Sequence, residues 1–315
     1  MSSAVRRRLD RLATVLLGIV AFSILGIVLG ILGDIFLKGR RTVTWEFLTQ
    51  IPLDGMTRGG VFPAIFGTVC IVVLMIMMAL PLGVLAAIYM VEYAGQGRIA
   101  RVIRAAVNNL AGVPSIVFGL FGLGFFVLFV GRNLDRVTGR DLLFGQPAML
   151  WAAATLAVLV LPVVIVSTAE ALMAVPRSLR EAAFALGATR WQVVRGVVLP
   201  QAWSGILTGA ILSVSRGAGE TAPILFTGCA YYLPRLPVVR LTVPLLGIQV
   251  PMVNPLDQFM ELSYHIFIMA TQSHNTMLTR PIQYGTTLVL VGLTFTLNLV
   301  AILARRRLSR RVVKA

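Results

Sequence analysis

The stretch EAAFALGATRWQVVRGVVLP, Glu181–Pro200, lies between two long apolar runs of the chain. Pro176, just before it, can occupy the first turn of a helix, where its missing N–H costs nothing. Arg177 to Leu186 holds good helix formers, Gly187 suits the left-handed residue that ends a helix, and Thr189 can cap a second helix. The stretch therefore predicts a helix, a glycine turn and a second short helix, projecting from the apolar part of the protein.

The rest of the chain has the composition of an integral membrane protein. Of its 315 residues, 57% are apolar and 13% are charged, whereas soluble domains carry about 25% charged residues. The predicted fold class is all-α, with six transmembrane helices of about 20 residues or more. The first of these runs is longer than the apolar region of a signal peptide and has no A-x-A cleavage site, which favours a retained anchor. The six are Leu12–Ile35, Val61–Met90, Ala105–Val130, Ala148–Leu172, Ala202–Ala230 and Gln283–Ala304.

The placement of arginine and lysine predicts the orientation. Segments 1–11, 92–104, 171–200 and 305–315 carry 17 basic residues in about 65 positions, and the alternate loops carry 10 in about 96. Cytoplasmic loops of membrane proteins are enriched in these residues. We therefore expect a multi-pass membrane protein with both termini in the cytoplasm. The long, proline-rich segment 231–282 is then external, and we expect it to pack on the external mouth.

The remaining polar residues argue against several other functions. A net charge of +16 does not indicate nucleic-acid binding here, because the arginines are spread between apolar runs. No GxxxxGK[ST] motif occurs, so the chain has no nucleotide-binding loop of that type. Cys70 and Cys229 fall in apolar runs, and His265 and His274 lack the spacing of metal ligands. We therefore expect neither a metal site nor a bound cofactor.

The fifth apolar run contains SVSRGAGETAPILF, Ser213–Phe226, with Arg216 and Glu220 four residues apart. Charged residues at membrane depth are costly unless they face protein or water. One interpretation is an ion pair that holds two helices together. The other is a wet route for an anion, since arginine matches tetrahedral oxyanions. On a helix, one face would combine Gly205 and Gly209, a close-packing GxxxG pair, with Leu212, Ser213, Arg216, Glu220 and Pro223.

Glu220 beside an anion route suggests a basis for selectivity. Phosphate at neutral pH keeps a P–OH proton, and a carboxylate can accept a hydrogen bond from it. Sulfate has no such proton, and the same carboxylate would repel it. We therefore expect Arg216 to attract the anion and Glu220 to select the protonated one, with Ser213 and Thr221 as further polar residues of the route.

The quoted stretch closely resembles the EAA loop of the permeases of ABC importers. That loop has Glu-Ala-Ala, a glycine three residues on, and an aliphatic residue before Leu-Pro. The resemblance implies a coupling helix that sits in a groove of a separate ATP-hydrolysing subunit. This chain would then not be an enzyme, and ATP and Mg would be used by that partner. The matching residues are Glu181, Ala182, Ala183, Gly187, Val197, Leu199 and Pro200, with valine for the usual isoleucine.

Two further segments resemble the phosphate branch of that family. SRGAGETAPILFTG, 215–228, and AGVPSIVFGLFGLG, 111–124, are similar to segments of PstA permeases. The resemblance runs from about Val61 to Arg307, with Gly217 where alanine is usual and a longer external loop. It implies a type I importer permease of a bacterial inner membrane that passes phosphate at Arg216 and Glu220. It also implies a PstC-like sister permease, two PstB-like ATPases and a PstS-like phosphate-binding protein.

Three alternatives and a division of the chain complete the predictions. A permease for another oxyanion or a small polar solute would share the EAA loop. An intramembrane hydrolase would need a histidine in a span or a GxSxG motif, and the sequence has neither. A membrane scaffold leaves the loop unexplained.

We expect an N-terminal helix and external loop at 1–60, a permease core at 61–304 with the coupling loop at 176–200, and a basic cytoplasmic tail at 305–315.

Overall fold

A computed structural model describes residues 3–56, 58–95, 97–243, 248–273 and 276–312. Within these ranges the protein is mostly helical, and six helices are long and apolar enough to cross a membrane. The predicted fold class is thereby confirmed. The six spans are Asp10–Gly39, Phe62–Tyr93, Ser115–Thr138, Met149–Met173, Arg190–Gly217 and Met277–Arg307.

The elements follow one another along the chain as helices joined by short turns. Two pairs of short antiparallel strands interrupt them, with Pro52 opposite Gly59 in the first pair and Val238 opposite Val253 in the second. Three π-helical stretches within the described ranges each continue a preceding α-helix. They are Tyr89–Tyr93, Gly122–Gly131 and Val194–Val198. The elements are α1 Ser3–Gly39, α2 Trp45–Thr49, β1 Pro52–Leu53, β2 Arg58–Gly59, α3 Phe62–Ile88, α4 Arg98–Ala111, α5 Ser115–Phe121, α6 Arg132–Thr138, α7 Met149–Met173, α8 Arg177–Ala185, α9 Arg190–Val193, α10 Leu199–Gly217, β3 Val238–Val243, β4 Ile248–Val253, α11 Leu262–Thr271 and α12 Thr276–Val312.

The third span begins ten residues later than the sequence predicts. The helix α4 ends at Ala111, and the third span starts at Ser115. Pro114 lies at this break, directly before α5. Proline lacks the N–H that a helix needs and disfavours helical geometry in the residue before it. Hydropathy alone could not separate α4 from the span, because its apolar residues continue into the next helix.

The fifth span is shifted in the opposite direction. It runs from Arg190 to Gly217 instead of from Ala202 to Ala230, because α9 continues through a π-helical stretch into α10. After Gly217 the chain forms turns up to residue 228. Two glycines and a proline in 217–223 weaken the helix there, although the same residues leave the hydropathy high.

The core is built around α7, which packs against α3 and α10 and is buried over most of its length. Small residues allow these close contacts. A Cβ added at Gly205 would collide with Ala171, and one added at Gly209 would collide with Ser167. The close packing predicted for the GxxxG pair is therefore confirmed, and its partner is α7.

The first and last spans lie at the edge of this core, where α12 also packs on α10 and α11. The apolar stretches of α1 and α12 are not buried inside the chain, although the two helices pack on each other. The helix α12 continues to Val312, so the basic residues after Ala304 extend this helix as far as it is described. Such apolar surfaces suit contact with lipid.

The described residues of the segment 231–282 form the antiparallel strands β3 and β4 and the buried helix α11. The helix α11 packs back onto the bundle, where it contacts α3 and α12. A Cβ at Gly67 of α3 would collide with the carbonyl oxygen of Met260, so this glycine permits the close approach. At ten residues α11 is too short to cross a membrane, as expected for this proline-interrupted segment.

Candidate functional site

Arg216 and Glu220 form an ion pair at the end of α10. Arg216 Nε donates to Glu220 Oε1 over 3.3 Å, and the two side chains are 37% and 19% exposed. The pairing agrees with the spacing of the two residues in the sequence. The prediction of one continuous helical face is wrong beyond Gly217, because α10 ends there and Glu220 lies in the following turn.

The guanidinium of Arg216 is only partly engaged. Its Nε contacts Glu220, and its two terminal nitrogens have no hydrogen-bond partner within the described ranges. Arginine has five N–H donors, so four remain available. Its position in the last turn of α10 also places the cation near the negative end of the helix dipole.

A hydrogen-bond network holds the turn that carries Glu220. Thr221 Oγ1 donates to Ser263 Oγ over 2.9 Å. Ser263 Oγ lies 3.1 Å from the carbonyl oxygen of Glu220 and 2.5 Å from Glu261 Oε2. Because the serine has one hydroxyl proton, it donates to one of these two acceptors at a time. The turn is therefore fixed to the start of α11.

Glu261 is a buried residue of this network that the sequence analysis missed. It caps α11 by accepting from the backbone N–H of Tyr264 over 2.8 Å. Burial raises the pKa of its carboxyl to about 7, although the hydrogen bonds from Ser263 and Tyr264 act in the opposite direction. Burial also raises the pKa of the neighbouring Cys229 thiol. A glutamate directly before an apolar helix was the available signal for a cap.

The structure assigns the other two predicted polar residues to different surroundings. Thr221 joins the network beside Glu220. Ser213 is fully buried, and its hydroxyl donates to the carbonyl of Gly209 within α10 over 2.9 Å. Nearby, Ser215 Oγ donates to Asn298 Oδ1 over 2.8 Å and links α10 to α12.

Gly217 ends α10 directly against Met75 of α3. A Cβ at this position would collide with the sulfur of Met75, which is fully buried. The sequence has glycine where alanine is usual in the family that it resembles. The contact with Met75 supplies a physical reason for that difference.

The loop between the fourth and fifth spans has the predicted local structure. The helix α8 ends at Ala185, Gly187 adopts a left-handed φ of 82°, and Thr189 caps α9 together with Gln192. The second helix does not end before the membrane, because α9 leads into α10. Pro200 lies at the start of α10, where a proline is tolerated.

This loop presents apolar side chains to solvent. Leu186 is 90% exposed, and Phe184 and Trp191 are also exposed. No residue of α8 is buried, and Glu181 and Ala182 are exposed. An apolar patch rimmed by polar residues is typical of a surface that binds another protein.

Arg180 anchors α8 from its opposite side. Its Nη2 lies 3.0 Å from Glu92 Oε1, and the two side chains are only 15% and 14% exposed. Arg180 also donates to the carbonyls of Val175, over 2.5 Å, and Leu172, over 2.7 Å. It thereby joins α8 to the ends of both α3 and α7. No local sequence pattern indicates this pair, because its partners are 88 residues apart.

A cavity of about 640 Å³ lies between α8 and the ends of the spans. Both members of the buried pair line it, as does Glu181 of the predicted docking motif. Within the described ranges, no group of three or more histidine, cysteine or acidic side chains could hold a metal ion.

Comparison with known proteins gives the family. The model of the family described as "Binding-protein-dependent transport system inner membrane component" matches residues 79–314. The chain belongs to this family. It is therefore a multi-pass protein of the inner membrane, as the composition and the apolar runs predict.

The relatives of this chain include permeases whose names state a substrate and permeases whose names do not. A probable ABC transporter permease, YqgI of Bacillus subtilis (strain 168), is 34% identical over 222 residues, which are 70% of this chain and 71% of that protein. The phosphate transport system permease protein PstA 1 of Mycobacterium tuberculosis (strain ATCC 25618 / H37Rv) is 40% identical over 185 residues, 59% of this chain and 56% of that one. PstA of Haemophilus influenzae (strain ATCC 51907 / DSM 11121 / KW20 / Rd) is 37% identical over 198 residues, 62% and 65% of the two chains. The predicted resemblance to PstA permeases is confirmed.

Solved structures share the fold at low sequence identity. A bacterial alginate ABC transporter, in complex with a periplasmic protein that binds alginate pentasaccharide, has a chain that matches with a TM-score of 0.63 and 17% identity. The match covers 99% of this chain and 98% of that one. The inward-facing MetNI methionine ABC transporter matches with a TM-score of 0.51 and 17% identity over 79% and 94% of the two chains. The type I importer fold is therefore confirmed.

Proposed function

We propose that this chain is a permease subunit of an ATP-driven importer that moves inorganic phosphate across the inner membrane. The observation that carries the proposal is the partly engaged guanidinium of Arg216 at the end of α10, beside Glu220. The names of the PstA relatives favour phosphate over another oxyanion or a polar solute. A transport role also accounts for the exposed docking loop on α8.

Arg216 and Glu220 together suit a protonated oxyanion. The four free N–H groups of Arg216 can donate to two phosphate oxygens, a geometry that a guanidinium provides and an ammonium does not. Glu220 Oε1 is engaged with Arg216, which leaves Oε2 to accept a hydrogen bond from P–OH. In this proposal the ion pair at rest keeps Arg216 in place, and the anion shares the guanidinium when it passes.

Thr221 and Ser263 position this site. Their hydrogen bonds hold the backbone of Glu220 against α11, so the carboxylate cannot move far from Arg216. Ser213 belongs to the same turn of α10 as Arg216 and supports the helix from within. Four side chains were predicted to take part in passage. In this proposal Arg216 and Glu220 contact the anion, and Ser213 and Thr221 support them.

The loop 176–200 supplies the connection to an ATPase. The surface for the groove of a partner subunit consists of the exposed side chains of Leu186, Phe184 and Trp191. Glu181 is free to pair with a basic residue in that groove. Movement of α8 would pass to α3 and α7 through Arg180 and Glu92. The chain then uses no ATP itself, and ATP and Mg belong to the partner.

The proposed assembly follows the phosphate importers that the relatives name. It comprises a PstC-like sister permease, two PstB-like ATPases and a PstS-like binding protein. Both termini lie in the cytoplasm in this arrangement, which places α8 on the ATPase side and α11 on the side of the binding protein. The alternation of basic residues along the sequence supports this orientation.

Uptake of labelled phosphate in cells that lack the native chain tests the proposal. Complementation with Arg216→Gln should lower uptake by about 100-fold, because hydrogen bonds to charged groups contribute about 1.5–3 kcal/mol each. Arg216→Lys should retain part of the activity, and Arg235→Gln, an exposed arginine paired with Asp257, serves as the control. Unchanged uptake by Arg216→Gln at normal protein levels would rule out the proposed site.

A further inference from the structure

Four of the basic residues predicted to lie on the external side meet at one cavity. Lys38 lies in the last turn of α1, Arg40 and Arg41 follow the end of that helix, and Arg280 lies in the first turns of α12. They line an open cavity of about 590 Å³. Residues about 240 positions apart in the sequence are thus brought together where the positive-inside rule disfavours basic residues.

The cavity carries an excess of positive charge. Lys38 Nζ pairs with Asp34 over 2.6 Å. The other three cations, Arg40, Arg41 and Arg280, have no carboxylate partner in the part of the chain that the structure describes. Three guanidinium groups at one cavity match an anion with several oxygens.

The walls of the cavity are held in place by contacts between α1 and α12. Lys38 Nζ lies 3.4 Å from Tyr284 Oη and 5.0 Å from the centre of its ring. Thr42 Oγ1 donates to the carbonyl of Pro281 over 3.1 Å, and Gly39 is buried against the backbone of Tyr284. The charges therefore sit on a preformed surface between two packed helices.

The surroundings of the cavity are apolar and exposed. Leu37 and Met277 also line it, and both are exposed. Trp45, on the neighbouring helix α2, is 79% exposed. Tryptophan is enriched at the level of lipid headgroups, and α1 has no buried apolar stretch. An occupant of this cavity would meet guanidinium groups at one end and lipid-facing side chains at the other.

We propose that this cavity binds the phosphate group of an anionic phospholipid, with the acyl chains lying along α1 and α12. Free inorganic phosphate offers the same oxygens but leaves the apolar surface uncovered. The site is separate from Arg216 and does not depend on the substrate that the protein transports. Lipid bound there would hold the α1–α12 pair at the edge of the core.

Binding of phosphatidylglycerol to the full chain, purified with the subunits that co-assemble with it, tests this site. Native mass spectrometry during a lipid titration gives the affinity, with phosphatidylcholine as the neutral comparison. Each basic residue near an anionic headgroup contributes about 1 kcal/mol, so Arg40→Gln with Arg41→Gln should weaken binding by roughly thirtyfold. Arg40→Lys with Arg41→Lys should retain most of the affinity, because the charge is kept.

Matched variants separate this site from general surface charge. Arg140→Gln with Arg240→Gln removes two exposed arginines outside the cavity and should leave phosphatidylglycerol binding unchanged. Arg280→Gln should weaken binding from the α12 side, which repeats the test with an independent residue. Equal affinity in all variants would overturn the proposal. Displacement of the lipid by millimolar inorganic phosphate would overturn the lipid assignment in favour of the free ion.

Discussion

In the part of the chain that the structure describes, two arginine–glutamate pairs differ in how completely the arginine is engaged. Arg180 is largely buried, pairs with Glu92 and also donates to two backbone carbonyls. Arg216 is more exposed and makes one 3.3 Å contact with Glu220 through Nε. The two pairs have the same residue types but different numbers of satisfied donors.

The number of satisfied donors indicates what each pair can do. Every hydrogen bond of Arg180 holds together elements that meet beneath α8, and little donor capacity remains for a ligand. Arg216 keeps four N–H groups that a passing anion can use. An arginine with four unused donors beside a fixed carboxylate is suited to transient binding. A largely buried arginine with three of its five donors engaged is suited to a permanent joint.

Breaking the buried pair should give the largest change in stability. Arg180→Met leaves Glu92 as an unpaired, poorly exposed charge, which costs about 3–5 kcal/mol in the free energy of unfolding. Thermal unfolding of the purified protein measures the loss. Arg177→Met, an exposed neighbour that lines the same cavity, should have little effect.

A double variant separates charge burial from lost packing. Arg180→Met with Glu92→Met removes both charges and should be more stable than Arg180→Met alone, because no unpaired carboxylate remains. Phosphate uptake should stay low in the double variant if the pair transmits movement from α8. Normal uptake in both variants would show that the pair has no part in coupling.

The more exposed pair, Arg216 and Glu220, should be more important for the selectivity of phosphate over sulfate than for stability. Glu220→Gln replaces a carboxylate that accepts from P–OH with an amide that can also donate to sulfate. The preference for phosphate over sulfate should fall by about tenfold, the equivalent of one hydrogen bond to a charged group. Competition of sulfate against labelled phosphate uptake measures this ratio, with Glu46→Gln, at an exposed residue of α2, as the control. An unchanged ratio would contradict the selective role of Glu220.

The packing of Gly217 beneath the Arg216–Glu220 pair should affect the free energy of unfolding less than the loss of Arg180 does. Gly217→Ala places a methyl group against Met75, and overpacking of this kind costs about 1–3 kcal/mol. In a Met75→Ala background the same change should cost much less, because the space is free. Thermal unfolding of the two single variants and the double variant gives the coupling between the sites. Additive effects would mean that the two side chains do not interact.

The two pairs also show what the sequence could predict. Arg216 and Glu220 are four residues apart inside an apolar run, so their pairing could be predicted from local spacing. The end of α10 at Gly217 could not, because hydropathy stays high through residues 218–230 while the glycines stop the helix. The local structure at Gly187 and Thr189 was predicted because caps depend on neighbouring residues alone.

Contacts between distant parts of the chain were missed. Arg180 and Glu92 meet only because α3 and α7 are packed side by side, and nothing near either residue indicates the other. Glu261 lies in a segment that reads as an external loop, and its burial depends on contacts with α3 and with the turn after α10. The local residues of the site were thus predictable, and the residues that support them required the tertiary structure.

Two buried groups near the Arg216–Glu220 pair, Glu261 and His265, should make the stability of the protein depend on pH in opposite directions. Burial raises the pKa of Glu261 from 4.5 to about 7, so its folded state holds a proton more tightly and stability falls as pH rises between these values. Burial lowers the pKa of His265, also outside the six spans, from 6.5 to about 4, so stability falls as pH decreases between those values. The neighbouring Cys229 and Tyr264 have raised pKa values and stay neutral in this range.

These two dependences should nearly cancel in the native protein between about pH 5 and pH 6.5. Glu261→Gln leaves the histidine alone, so the thermal midpoint should rise with pH in that window. His265→Gln leaves the carboxyl alone, so the midpoint should fall with pH. Midpoints measured across the window for the three proteins test both signs. Parallel curves would mean that neither group is buried as described, and the turn that holds Glu220 beside Arg216 would then need another support.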